Sequence, residues 1–135
     1  MAKKKKYKDY SFKPFELSPG KRHNHARITY DMMDSKAWNQ LSIYAIGLYL
    51  AMKKKFNGGN EHDISFTYAE GQKLMAKKTF TKALDQLIEV GLIDLNYQGR
   101  YVREPNIYGF SCRWQQYGTD SFVAKQRRKR VPDHD

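Results

Sequence analysis

The sequence predicts an α+β domain of three helices and a small antiparallel sheet, with basic and flexible termini. Three observations predict this fold class. The length of 135 residues fits one domain. Three stretches place apolar residues at helical spacing, and short alternating segments bounded by Gly and Pro read as strands. The predicted order is helix, short strand, helix, turn, helix, strand, loop, strand.

The first predicted helix is the segment "DSKAWNQLSIYAIGLYLAMKKKF", which Asp34 or Ser35 can cap. We expect it to be central to the core, because further apolar residues widen its buried face until little of it could be solvated. Lysines 53–55 suit a helix C-terminus, and "NGGN" ends the helix. The buried face is predicted to consist of Trp38, Leu41, Ala45, Leu48, Tyr49 and Met52, widened by Ile43, Tyr44, Ile46 and Leu50.

The second helix follows a short strand in which Ile64 and Phe66 alternate with polar residues. Thr67 is expected to cap a helix from Tyr68 to about Met75. Glu70 stands at the third helical position, so that it completes a capping box. A tight turn near residue 76 then leads into the third helix.

The third helix lies in "KKTFTKALDQLIEVGLIDL", where Phe80, Leu84, Leu87 and Ile88 form an apolar stripe and Gly91 ends the helix. The segment "LIDLN" then predicts one strand and "IYGFSCRW" a second. Between them, "YQGRYVREPN" predicts a hairpin loop. After this hairpin, Tyr117 and Phe122 are expected to pack back onto the core, and Trp38 and Trp114 are predicted to be core residues.

Charge divides the chain into three parts. Residues 1–25 hold eight Lys/Arg and two Asp/Glu, and residues 121–135 hold five and two, whereas the middle is nearly balanced within a total net charge of +11. We therefore predict a basic N-terminal arm at 1–25, a folded domain at 26–122 and a basic C-terminal tail at 123–135. Basic ends attract polyanions such as nucleic acids.

Several function classes are disfavoured. No apolar run reaches the roughly 18 residues of a membrane span, and no signal-peptide pattern follows the initial lysines. The single cysteine, Cys112, excludes an intramolecular disulfide and fits a cytoplasmic protein; its setting predicts a strand residue rather than a nucleophile. His23, His25 and His62 have no metal-ligand spacing, and no catalytic constellation is evident. We therefore expect no enzyme activity, no metal and no cofactor.

Two helices joined by a tight turn and followed by a hairpin describe a winged helix-turn-helix, in which the second helix of the pair enters the DNA major groove. Lysines at a helix start are unfavourable in isolation, because that end of the helix dipole is positive. They become favourable where phosphates lie beside them, although an ordinary solvated face would look the same in sequence. The candidate base contacts on this recognition helix are Lys77, Lys78, Thr79, Thr81, Lys82, Asp85 and Gln86.

Two further groups of basic residues are expected to contact the DNA backbone or the minor groove. The loop of the hairpin, or wing, contributes Arg100, Tyr101 and Arg103. The two arms contribute Lys3, Lys4, Lys5, Lys6, Lys125, Arg127, Arg128, Lys129 and Arg130.

The segment "AKKTFTKALDQLIEVGLIDL" resembles the recognition helix and following strand of bacterial winged-helix proteins. Their pattern is a small capping residue, two variable residues, Thr, an apolar and a basic residue, a leucine repeat and Gly-Leu/Phe-Ile. The wider segments "WNQLSIYAIGLYLAM", "NGGNEHDISFTYAE" and "NIYGFSCRWQQYGTDSF" are similar to small winged-helix proteins of Gram-positive plasmids, phages and conjugative elements. Replication-initiator-like and transfer-accessory domains are among these proteins. The resemblance spans roughly residues 26–122.

The resemblance implies base contacts at Lys77, Lys78, Thr81 and Lys82, and at Asp85 or Gln86. One departure concerns Ala76, which stands where the relatives usually have Ser or another capping side chain. Loss of such a cap costs about 1 kcal/mol, so the helix start is expected to be looser or to be capped differently.

The resulting expectation is sequence-specific binding of double-stranded DNA at a site on a mobile genetic element, during replication, conjugative transfer or maintenance. Replication or transfer machinery and a second copy on DNA are the expected partners. A transcriptional repressor is the alternative, and it would ordinarily be a dimer that reads a palindrome. A protein-interaction module and an RNA-binding protein, which would prefer single strands, are further alternatives.

Overall fold

Helices and a small sheet alternate along the part of the chain that the computed structural model describes, namely residues 12–20, 22, 24–99 and 104–127. The α-helices are α1 (Tyr30–Met33), α2 (Lys36–Asn39), α3 (Ile43–Lys53), α4 (Tyr68–Gln72) and α5 (Lys77–Glu89). The strands are β1 (Ile64–Phe66), β2 (Ile93–Tyr97) and β3 (Asn106–Phe110), and short 3-10 helices occupy Pro14–Glu16 and Arg113–Gln116. The α+β class and the small antiparallel sheet expected from the sequence are therefore confirmed, but the described residues form five α-helices rather than the expected three.

The first long helix is divided at Ser42, so the prediction of one continuous helix is wrong. The Ser35 hydroxyl accepts a hydrogen bond from the N–H of Trp38 (3.2 Å) and caps α2. The Ser42 hydroxyl accepts one from the N–H of Ala45 (3.2 Å) and caps α3. Serine competes for backbone hydrogen bonds and thereby favours a new N-terminus over a helix interior.

The sheet is antiparallel and has the order β1-β3-β2. Ile64 pairs with Tyr108 across β1 and β3, and Ile93 pairs with Phe110 across β2 and β3. β3 ends at Phe110, so the expected strand through residue 114 is too long. Beyond it the chain turns into the 3-10 helix that begins at Arg113, and Cys112 is exposed before that helix rather than within a strand.

The core lies between α3, α5 and the sheet. Phe80 of α5 is buried there, with its ring stacked on Phe66 at 5.9 Å and in edge contact with Tyr68 at 5.5 Å between centroids. Trp38 and Trp114 pack against the core while partly buried, as expected. The buried residues are Ala37, Ala45, Leu48, Tyr49, Met52, Ile64, Phe66, Phe80, Ala83, Leu84, Leu87, Ile88, Val90, Leu92, Ile93 and Tyr108.

The C-terminal end of α5 is held by Arg113, a residue that the sequence patterns do not single out. Its guanidinium donates to the carbonyl of Ile88 (2.8 Å) and that of Ile93 (3.2 Å). It also forms an ion pair with Asp94 at 2.7 Å, and its side chain is largely buried. The Ile88 carbonyl also accepts a hydrogen bond from the N–H of Gly91 at 3.2 Å, so the guanidinium is a second, charged donor to this carbonyl and links the end of α5 to β2.

The outer side of α3 is exposed, which contradicts the expectation that little of this helix could be solvated. Ala45, Leu48, Tyr49 and Met52 face the core, whereas Ile43, Tyr44 and Leu50 lie on the opposite side among the large exposed apolar residues. The described residues include no helix that is long and apolar enough to cross a membrane.

Burial raises the pKa of Tyr108 to about 12, and it raises the pKa of Tyr49 as well. The folded state therefore holds these protons after the unfolded chain has lost them. We expect the contribution of these two tyrosines to stability to be constant below pH 10 and to fall as the pH rises from about 10 to 12, by about 1.4 kcal/mol per pH unit for each such group. Urea unfolding across this range should show the fall, and Tyr108→Phe should make it less steep. An equal slope in the variant would contradict the assignment.

Candidate nucleic-acid interface

Three lysines lie on the outer face of α5, on the side opposite the buried stripe. Lys77, Lys78 and Lys82 are exposed, and Thr79 and Thr81 are half-buried beside them. The Thr81 hydroxyl donates to the carbonyl of Lys77 (3.1 Å), so its hydrogen is already engaged within the helix. The first turn of α5 contains no acidic residue. This half of the helix therefore presents positive side chains without compensating carboxylates.

The N-terminus of α5 has no side-chain cap. Ala76 occupies the capping position and cannot offer an oxygen, in agreement with the departure noted in the sequence. By contrast, α1, α2, α3 and α4 are each capped by a Ser or Thr hydroxyl. The first N–H groups of α5 therefore receive no side-chain acceptor from Ala76, and the positive end of the helix dipole lies beside the lysines.

The exposed side of α5 that carries Lys77, Lys78 and Lys82 is called the lysine face below. Tyr68 borders this face, although no sequence pattern pointed to it. The ammonium of Lys77 lies 6.0 Å from the centroid of its ring. Thr67 and Glu70 fix this part of α4 through the predicted capping box, which the structure confirms. The short connection between α4 and α5 is what brings Tyr68 next to Lys77, and such proximity has no local sequence signal.

Asp85, a predicted base contact, is paired with the C-terminal tail. Arg127 donates from Nε to one carboxylate oxygen of Asp85 at 2.8 Å, and its side chain is largely buried. The hydrogen bond with Asp85 raises the pKa of Arg127. Lys125 lies 3.7 Å from Asp94, and the carbonyl of Val123 accepts a hydrogen bond from Arg113. The tail as far as Arg127 thus lies against the domain, and Arg127 offsets the one negative charge in the middle of α5.

Gln86, another predicted base contact, forms a hydrogen bond with the residue that precedes α3. Its side-chain oxygen accepts a hydrogen bond from the N–H of Ser42 at 3.0 Å. We expect Gln86→Ala to lower the free energy of unfolding by about 1 kcal/mol, because this half-buried N–H loses its acceptor. Gln86→Glu retains an acceptor oxygen and should cost less. Chemical denaturation of the three proteins measures the difference, and equal stability of Gln86→Ala and wild type would refute this role.

The other predicted contacts lie outside the described residues: Arg100, Tyr101 and Arg103 of the wing, and Lys3, Lys4, Lys5, Lys6, Arg128, Lys129 and Arg130 of the arms. The base of the wing is described. There the N–H of Gly99 donates to the side-chain oxygen of Asn106 at 2.8 Å, and Tyr97 hydrogen-bonds Glu104.

A cavity of about 650 Å³ lies between the start of α5, α4 and the base of the wing. Its wall includes Lys77 and Arg127 together with Phe66, Tyr68 and Tyr108. The lysine face therefore borders a recess with an aromatic wall. The described part of the chain contains no cluster of His, Cys, Asp or Glu that could hold a metal ion.

Comparisons with known proteins add no relative. No family model, no curated protein and no solved structure matches the chain.

Proposed function

We propose that this protein binds double-stranded DNA through a winged helix-turn-helix. The order of the elements along the chain supports the choice of this motif. α3, β1, α4, α5, β2 and β3 follow one another in the order of that motif, and the strands are arranged β1-β3-β2. In this assignment α4 and α5 are the helix-turn-helix pair, α5 is the recognition helix, and the β2–β3 loop is the wing.

The observation that carries the proposal is the set of three exposed lysines on the uncapped N-terminal half of α5. In a helix-turn-helix, the N-terminal residues of the recognition helix are those that approach the base edges. Lysine donates to the acceptors of guanine, and the unsatisfied N–H groups of a helix start bind phosphate. The proposed contacts are therefore Lys77, Lys78 and Lys82, with Thr79 and Thr81 at the margin of the face. Asp85 and Gln86 are less suited, because each already has an intramolecular partner.

The biological setting proposed here rests on the sequence resemblance to winged-helix proteins of plasmids, phages and conjugative elements. The protein would act in the cytoplasm at a specific site of such an element, together with replication or transfer machinery. A transcriptional repressor is the second candidate, because the exposed face of α3 could join two copies on a palindrome.

Selection from random duplexes by the full-length protein tests the proposal, at about 150 mM salt to limit nonspecific phosphate binding. We expect one enriched motif, and the selected duplex should bind more tightly than single-stranded DNA or RNA of the same sequence. Enrichment of no motif would contradict specific recognition. Tighter binding of single-stranded RNA would favour the RNA-binding alternative, and indifference to every nucleic acid would favour a protein-interaction module.

A further inference from the structure

The outer face of α3 is apolar and unpartnered within the described residues. Ile43 is 79% exposed, Tyr44 54% and Leu50 43%. Gly47 lies among them, and a Cβ added there would meet nothing within 4 Å. No charged residue occurs from residue 43 to residue 52. A helix that is apolar on all sides is ordinarily buried on all sides, so this face lacks a covering surface.

The face is arranged symmetrically about Gly47. Ile43 lies four residues before the glycine and Tyr44 three residues before it, while Leu50 lies three residues after it. Ala51 lies four residues after it, half-buried at the edge of the face, where it also packs against the core. Residues three and four apart share one side of a helix. If two copies of α3 pack antiparallel across a two-fold axis at Gly47, Ile43 of each copy meets Ala51 of the other. Tyr44 then meets Leu50 in the same way.

A hollow next to Ala51 provides space for the projecting Ile43 side chain. This hollow has a volume of about 530 Å³, with Ala51, Phe66 and Leu74 among its walls. Its remaining wall is charged and consists of Lys54, Lys55, Glu70 and Lys73. Each copy thus offers both a projecting apolar side chain and a partly apolar recess, at equal distances from Gly47 along the helix. Such self-complementarity is what a two-fold interface requires.

Gly47 lowers the stability of α3, and no contact among the described residues of one copy accounts for a glycine at this position. Glycine within a helix is less favourable than alanine, and in the monomer an alanine would fit here without any contact. Absence of a Cβ becomes useful where another backbone approaches closely. The position of the glycine, at the centre of the exposed stripe, is where two crossing helices would come nearest.

We propose that the outer face of α3 is the interface of a homodimer. α3 has 11 residues and is about 16 Å long, so a pair of such helices buries less than the roughly 800 Å² per partner of a standard stable interface. The dimer is therefore a weak one that forms at micromolar concentration. α3 packs on α5 through its other side, which leaves the lysines of α5 uncovered on both copies.

Sedimentation of the full-length protein without DNA tests the interface, so that its outcome does not depend on the proposed function. We expect the mass to rise from monomer to dimer between about 1 and 300 µM. The dimer should strengthen at about 0.5 M salt, because two chains of net charge +11 repel each other. DNA binding, by contrast, weakens as the salt concentration rises. Salt titrations of dimerisation and of DNA binding, measured separately, should therefore change in opposite directions.

Ile43→Glu should weaken the dimer at least tenfold, because it places a charge in the apolar contact. Gly47→Ala should also weaken it, although the melting temperature of the monomer rises. Phe15→Glu is the matched control at an 88% exposed residue outside α3, and it should leave dimerisation unchanged. A monomer at every concentration, or a dimer indifferent to Ile43→Glu, would overturn the proposal. So would a monomer that binds lipid vesicles through Ile43.

Discussion

Replacement of Lys77, Lys78 and Lys82 by alanine together is expected to lower the affinity for the selected duplex at least about 100-fold. A lysine that loses a base edge costs about 1–3 kcal/mol, and each 1.4 kcal/mol is a factor of ten. The three side chains are exposed, so the fold should remain intact. Binding titrations at several salt concentrations measure the effect. The salt dependence should also decrease, by about one unit of slope for each lysine that contacts a phosphate.

A matched variant separates this effect from a general loss of charge. Lys13, Arg27 and Lys36 are also exposed and lie outside both α5 and the proposed α3 interface, and their replacement by alanine removes the same three charges. We expect that variant to retain the sequence preference and most of the affinity. If both triple variants bind alike, the lysines act only through net charge. Unchanged binding after substitution in α5 would mean that α5 does not enter the groove.

Gly91→Ala is expected to lower the free energy of unfolding by about 2–4 kcal/mol, from two costs that act together. Gly91 has φ +86°, a conformation that side chains other than glycine adopt with strain. Its Cβ would also lie 2.7 Å from the Cβ of Arg113 and 2.7 Å from the backbone N of Trp114. Backbone atoms cannot move aside as a flexible side chain can, so the 3-10 helix must shift away from the end of α5.

Gly47→Ala is the control for this prediction, since it is the same chemical change in the middle of a helix with open space around the new methyl group. We expect it to stabilise the monomer by about 0.5–1 kcal/mol. Urea unfolding of the two variants and the wild type, at a protein concentration that keeps them monomeric, gives the comparison. If Gly91→Ala costs less than about 1 kcal/mol, the close approach at Arg113 and Trp114 is not a constraint on the fold.

Features that depend on neighbouring residues were predictable from the sequence. The apolar stripe of α5 places Phe80, Leu84, Leu87 and Ile88 in the core, as expected. The capping box of Thr67 and Glu70 starts α4 at Tyr68, and Gly91 adopts the left-handed conformation immediately after Val90, the C-cap residue of α5. Helical period, caps and turns are set within about four residues, which is why local patterns reveal them.

The candidate site was predictable in part. Lys77, Lys78 and Lys82 lie opposite the buried stripe, and their exposure follows from helical period alone. The helical period does not reveal which residues pair with Asp85 and Gln86. Asp85 pairs with Arg127, 42 positions away, and Gln86 with Ser42, 44 positions away. Such pairs depend on how separate elements pack, and no spacing within α5 indicates them.

The sequence by itself determined an α+β chain with an amphipathic, lysine-bearing α5 followed by a hairpin, because those features arise from local period and capping. Tertiary structure decided which surfaces found a partner. It left one side of the apolar α3 exposed, placed Arg113 against the end of α5, and brought the tail to Asp85. The physical reason is that burial and ion pairing are properties of packed surfaces, whose neighbours are distant in the chain.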